Sequence, residues 1–166
     1  MERVVKKIKN YMKLEFTSTS ENESFARGTV AAFAAQLNPT LDEINDIKTA
    51  VSEAVTNCVV HAYASRKNDE LRIRNEELRK NLILIECELF NDSITVVVKD
   101  TGVGIANIER AMEPFFTTKP NEERSGMGFT VMQSFMDTLD VKSDKSGTVV
   151  TMQKFFYNTK AHEKII

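Results

Sequence analysis

The chain has 166 residues, a formal net charge of −2, two cysteines and no tryptophan. That length suits one domain with a sizeable core, and the near-neutral charge gives no general pull toward nucleic acid or an anionic membrane. No apolar run reaches the roughly 18 residues that span a bilayer and no signal-peptide pattern opens the chain, so a cytoplasmic protein is expected. Cys58 and Cys87 lie in apolar patterns without metal-type spacing and read as reduced core thiols.

Residues 1–11 are basic and mixed, with no clear period beyond a possible short helix, and read as an N-terminal extension to a domain over 12–157. Met12, Leu14 and Phe16 alternate with Lys13, Glu15 and Thr17, the pattern of a half-buried strand. Ser20 and Glu23 have the S-x-x-E form of a capping box. The helix expected after them runs to about Leu37, with Phe25, Thr29, Ala32, Phe33 and Gln36 at helical spacing, and Asn38-Pro39 stops it. Thr40 and Glu43 repeat the box and start a central helix that carries to about Tyr63. Together the two boxes predict a helical hairpin.

On the central helix, Glu53 and Asn57 are one turn apart on the same side, and His61 continues the row. Ile47, Val51, Ala54, Cys58 and Ala62 form an apolar row beside it. Such a helix packs one edge into a core and offers a carboxylate and a carboxamide at a rim. Taken alone, the polar row is more often just the solvated side of an amphipathic helix. Residues 65–81 are densely charged, with Glu70/Arg74 and Glu76/Lys80 in the favourable i,i+4 order; they fit a short exposed helix or a continuation of the central helix, and read best as a solvated insertion.

Ile83, Ile85, Cys87 and Leu89 mark one face of a strand from Leu82 to Phe90. Asn91-Asp92 turns it, and Ile94 to Val98 returns. Asp100-Thr-Gly102-Val-Gly104 follows. From Ile105 to Arg124 the pattern is broken, and a loop of that length inside a compact domain is usually functional. Gly126-Met127-Gly128 opens a helix through Met136, and Leu139–Ser143 and Thr148–Phe155 make a last hairpin. The tail, 158–166, reads as flexible. The order β-α-α-insert-β-β-loop-α-β-β predicts an α+β, two-layer α/β sandwich with helices on one face of a mostly antiparallel sheet.

Asp100 at a strand end can accept a hydrogen bond from an exocyclic amine, and glycines after it permit close ligand approach. Amides at a helix start form an anion site, to which Arg124 adds charge. Each glycine loop alone is weak. There is no P-loop, neither glycine loop has the dinucleotide-binding form, and the protein-kinase signatures are missing.

The helical Glu/Asn pair, then D-x-G-x-G, then G-x-G at a helix start resembles the N, G1 and G2 boxes of the GHKL ATPase superfamily, with its Bergerat ATP-binding fold. The resemblance narrows further. Asn22-Glu-Ser-Phe-Ala-Arg27, Ser52-Glu-Ala-Val-Thr-Asn57, Phe116-Thr-Thr-Lys-Pro120, Glu123-Arg-Ser-Gly-Met-Gly-Phe-Thr130 and Phe135-Met-Asp137 are similar to the sporulation anti-sigma F family of serine kinases over about Met12 to Phe155. The N-terminal dozen residues, His61-Ala62-Tyr63 in place of His-Gly-Tyr, and the long insertion depart from it.

The resemblance implies Mg²⁺ on Asn57, bridging the phosphates of ATP, and Glu53 as the base for the attacking hydroxyl. It implies Asp100 on the adenine amine with Gly102 and Gly104 admitting the nucleotide, and Thr148 helping to hold the adenine. A lid over Ile105–Ser125 would bring Thr117, Thr118, Lys119, Arg124 and Ser125 to the phosphates, beside amides from Gly126, Met127 and Gly128, with His61 in the same ATP-binding set. It further implies a homodimer that binds sigma factor F and phosphorylates a serine of an anti-anti-sigma protein, using Glu23 and Arg27 at a shared surface, without direct contact to nucleic acid or membrane. Two alternatives stand beside it: a non-catalytic, ATP-dependent partner-binding module, and a histidine-kinase-like catalytic domain.

Overall fold

Strict alternation of apolar and polar side chains folds Leu82–Leu89 (β2) and Ser93–Asp100 (β3) into the centre of a sheet. The computed structural model describes residues 5–63, 71–115 and 127–157. Its sheet has the order β1-β2-β3-β5-β4, with β1 at Asn10–Thr17, β4 at Thr138–Asp144 and β5 at Gly147–Phe155. Every pairing among the described residues is antiparallel. The strand expected from Met12 starts two residues earlier, and Lys9 still donates its amide to the Leu89 carbonyl.

The register sorts one face of the sheet into rows. Met12, Cys87, Val96, Met152 and Leu139 form one row, and Leu14, Ile85, Val98, Val150 and Val141 the next. Both rows are apolar and lie under the helices in one continuous core. The third row is Phe16, Ile83, Asp100, Thr148 and Ser143: it changes from apolar to polar as it crosses β3. That change puts a carboxylate and two hydroxyls at one end of a hydrophobic layer. The opposite face carries charge, including an ion pair from Lys99 Nζ to Glu86 Oε2 at 3.1 Å.

Among the described residues, three helices cover the apolar face: α1 (Glu21–Ala34), α2 (Leu41–Asn57) and α5 (Gly128–Phe135). The capping box at α2 forms as expected, with Glu43 N donating to Thr40 Oγ1 at 3.2 Å and Thr40 N to Glu43 Oε2 at 2.7 Å. The box expected at α1 does not form. Ser20 already has helical torsions (φ −64°, ψ −29°), so its hydroxyl is not aimed at the Glu23 amide, which bonds the Ser20 carbonyl instead. The apolar stripe of α1 also differs from the expected one. Ala26, Val30, Ala31, Ala34 and Leu37 are buried, while Phe25 is half-exposed and meets Phe16 edge-on. Small side chains on that stripe let α1 approach α2 closely. A 3₁₀ turn, Ala35–Leu37, and left-handed Asn38 then end the helix before Pro39.

Lys154 of β5 joins the layers, donating to Asp46 Oδ2 of α2 at 2.9 Å and to the Phe135 carbonyl that ends α5 at 2.8 Å. Asp137, part of the Phe135-Met-Asp137 motif, accepts the Phe155 amide at 2.7 Å and fastens the end of β5.

The charged insertion forms α3 (Leu71–Lys80), whose expected Glu76–Lys80 pair closes at 3.7 Å on the surface. Glu70, and the side chain of its expected partner Arg74, lie outside the described residues. The helix is tied to the end of β1 through Thr17 Oγ1, which donates to the Leu78 carbonyl at 2.7 Å. Replacing residues 66–80 with a short Gly/Ser turn removes that bond. The expected cost is about 1 kcal/mol, read by denaturant melts, with nucleotide binding retained.

Candidate functional site

The central helix changes character where its polar row begins. α2 is α-helical to Asn57, and Cys58–Ala62 then widen into a π turn, a feature frequent at functional sites. The expected apolar row is buried along its whole length, from Ile47 through Val51, Ala54 and Cys58 to Ala62. Glu53 and Asn57 stand half-buried beside it. His61, expected to extend their row, sits instead inside the wider turn, where the α-helical spacing no longer holds.

The start of α5 meets this pair. A Cβ placed on Gly128 would lie 3.2 Å from Glu53 Oε2, 3.3 Å from Asn57 Oδ1 and 3.5 Å from Asn57 Nδ2. The two side chains therefore converge on one bare backbone position, with a helix N-terminus in place. Its preceding residue, Met127, makes no side-chain cap to the first-turn amides. An anion and a hard cation both find groups suited to them here: amides with the helix dipole for the one, carboxylate and carboxamide oxygens for the other.

The second cluster lies at the polar end of the sheet. Asp100 is 9% exposed, and its Oδ1 accepts the Gly102 amide at 2.9 Å and the Thr148 amide at 3.3 Å. Its Oδ2 accepts the Cys58 thiol at 3.4 Å. Burial pushes the Asp100 carboxyl above its ordinary range, and the Gly102 amide, the Cys58 thiol and the Thr148 amide each pull it back. Burial, followed by the neighbouring carboxylate, drives Cys58 well above the usual thiol range, so it stays a protonated donor.

Both glycines of the D-x-G-x-G loop are required by close backbone approach. A Cβ on Gly102 would overlap the carbonyl and methyl of Ala62, whose carbonyl accepts the Val103 amide at 3.0 Å. Gly104 has φ +77°, and a Cβ there would strike the Asp144 carbonyl. The π turn, the β3 loop and the β4–β5 hairpin are thus locked against one another. Tyr63 Oη accepts the Thr101 amide at 3.0 Å and donates to the Leu82 carbonyl at 2.6 Å. Ser143 Oγ accepts the Ile105 amide at 2.7 Å and lies 2.8 Å from Thr148 Oγ1.

Of the residues expected at the site, Glu53, Asn57 and Gly128 come together in one cluster and Asp100, Gly102 and Thr148 in the other, with Gly104 set against the hairpin. Thr117, Thr118, Lys119, Arg124, Ser125 and Gly126 lie outside the described residues, as does most of the expected lid beyond its short helix, α4 (Ile108–Ala111). Glu23 and Arg27 lie on α1, where Arg27 Nη1 donates to Ser52 Oγ at 3.1 Å, next to Glu53. Cys58, Tyr63 and Ser143 carry no site signal in the sequence. Their patterns there are those of core or strand, and only the fold brings them to Asp100 and its loop.

This geometry has known relatives. A family described as histidine kinase-like ATPase domain matches residues 16–154. The anti-sigma F factor of Clostridium beijerinckii is 54% identical over 148 residues, covering 89% of this chain and 95% of that protein. That of Caldanaerobacter subterraneus subsp. tengcongensis is 54% identical over 147 residues, with 88% and 94% covered. The chain belongs to the anti-sigma F factor family. The fold agrees with solved structures of low identity. The RsbU and RsbW domains of a Mycobacterium tuberculosis protein superpose with a TM-score of 0.61 at 17% identity, covering 89% of this chain and 32% of that one. A blue-light activated histidine kinase of Erythrobacter litoralis gives 0.50 at 18%, covering 81% and 42%. An anti-sigma F factor with a histidine kinase-like ATPase domain is an ATP-binding protein. Among the described residues, no helix is long and apolar enough to cross a membrane.

Proposed function

We propose that this anti-sigma F factor is an ATP-dependent serine kinase that binds sigma factor F and phosphorylates a serine of an anti-anti-sigma protein. The observation that carries the reading is the convergence of Glu53 and Asn57 on Gly128 at the start of α5. Phosphoryl transfer is mainly a matter of position and charge, and needs a group to accept the hydroxyl proton beside one that fixes the phosphates.

Asp100 receives the adenine amine on the carboxylate that Gly102 and Thr148 hold in place. Gly128 and its neighbouring amides receive phosphate oxygens. Asn57 offers its carboxamide oxygen to Mg²⁺, and the donor set fits, because Mg²⁺ prefers oxygen and keeps most of its shell as water and phosphate. When bound, the ion offsets charge on the transferring phosphoryl group. Glu53 takes the serine proton as the serine oxygen attacks and ADP leaves. Arg27 of α1 bonds Ser52, the residue before Glu53 on α2, which supports a reading in which a partner seated on Glu23 and Arg27 delivers its serine to the base. Sigma factor F competes for the same surface on the ATP-bound homodimer, in the cytoplasm.

Incubation with γ-labelled ATP and a purified serine-bearing anti-anti-sigma protein tests the reading. Label should appear on the partner's serine. Nucleotide-dependent binding of the partner without transfer would mark a non-catalytic module, and label on a histidine of this chain a histidine-kinase-like one. Asn57→Ala should weaken Mg·ATP binding about 10- to 100-fold, the worth of one or two charge-assisted contacts, and lower transfer and sigma capture together. Isothermal titration with and without Mg²⁺ checks it: an unchanged metal dependence removes Asn57 from the metal.

A further inference from the structure

Asp100 has two oxygens in unlike settings. Oδ1 is occupied by two backbone amides, at 2.9 Å from Gly102 and 3.3 Å from Thr148. Oδ2 accepts only the Cys58 thiol among the hydrogen bonds described for it, at 3.4 Å. An ionised carboxylate oxygen can accept more than one donor, and a thiol is a weak one. The thiol fixes the rotation of the carboxylate plane while leaving Oδ2 electron-rich and able to take a stronger N–H.

Cys58 directly follows Asn57 on the chain, at the first residue of the π turn. Consecutive helical residues point to different sides of the axis. The same turn therefore sends Asn57 to the Gly128 cluster and Cys58 to Asp100, the phosphate end and the base end of the proposed nucleotide site. Cys58 is 5% exposed, in the apolar row that continues from α2. Loss of this donor would leave Asp100, already disfavoured as an anion by burial, with one fewer group to stabilise it.

The geometry points to Cys58 as the positioning residue for base recognition: its thiol holds Asp100 Oδ2 toward the 6-amino group and sets the preference for an aminopurine nucleotide. The inference rests on the reading of Asp100 as the adenine acceptor.

The test compares the affinities of ATP and of purine riboside 5′-triphosphate, which carries hydrogen in place of the 6-amino group, in the full chain. Wild type should prefer ATP by about 10- to 100-fold, the range for a hydrogen bond to a charged group. Cys58→Ala should reduce that preference roughly 3- to 10-fold, as expected for losing one ordinary hydrogen bond, and Cys58→Ser, which keeps a donor, should restore it to within about twofold. A packing defect lowers both affinities alike and leaves their ratio unmoved, so the ratio separates positioning from core filling. An unchanged ratio in Cys58→Ala, with Asp100→Asn abolishing it, would overturn the role of the thiol alone. A ratio that survives Asp100→Asn would overturn the adenine reading, and this inference with it.

Discussion

Glu53→Gln should bind ATP at least as tightly as wild type, capture sigma factor normally, and transfer phosphate about 10²–10⁴ times more slowly, the usual loss for a general base. The substitution keeps size and hydrogen bonding and removes only basicity. Glu53 Oε2 lies against the bare backbone of Gly128, at the helix end proposed to hold phosphate. A carboxylate near phosphate oxygens repels them, so neutralising it does not weaken nucleotide binding. In the proposed function sigma capture depends on an occupied site rather than on chemistry, and it should survive. Single-turnover transfer to the partner serine, run beside a nucleotide titration, measures both halves. Transfer at the wild-type rate would make Glu53 a structural residue. A fall in ATP affinity matching the fall in rate would place its role in binding instead.

Asp100→Asn should abolish useful ATP binding while leaving the fold intact. Its amide oxygen can still accept the Gly102 and Thr148 amides, which are held by Oδ1 in wild type. Its amide nitrogen then replaces Oδ2 and, in the proposed site, confronts the adenine amine donor to donor. Losing a charge-assisted bond and leaving a donor unpaired costs about 2–4 kcal/mol, roughly 30- to 1000-fold in affinity. Stability should move the other way. Burial raises the Asp100 carboxyl above its unfolded value. In the window between those two values the native state binds more protons, so wild type loses stability as pH rises through it and does not regain that stability above. The variant has no such titration. Its melting temperature relative to wild type should therefore be lowest in acid and rise through that window, approaching or exceeding wild type at neutral pH. A melting difference that stays flat with pH would show that burial does not strain this carboxylate.

Periodicity was enough for most of the elements. The alternation of Ile83, Ile85, Cys87 and Leu89 and the Thr40–Glu43 box are local patterns, and local hydrogen bonding or burial on one face enforces them. Ser20–Glu23 carries the same letters as a capping box and forms none, because the turn from β1 brings Ser20 into helical torsions before its side chain can cap. On α1 both the Phe25 and the Ala26 stripes have helical spacing. Which one is buried depends on how close the neighbouring helix must come, and no local pattern states that.

The site divides along the same line. The sequence by itself determined that a carboxylate and a carboxamide stand one turn apart on a long helix, that an aspartate ends a strand before two glycines, and that a third glycine opens a helix. Its resemblance to a known family gave them roles. Only the tertiary structure decided that Gly128 meets Glu53 and Asn57, that the helix widens after Asn57, and that Cys58 and Thr148 close around Asp100. The physical reason is one of range. Element type follows from side chains a few residues apart, whereas these contacts join residues 42 or more positions apart, such as Cys58 with Asp100, and exist only once the sheet register has set one polar row at the edge of an apolar face.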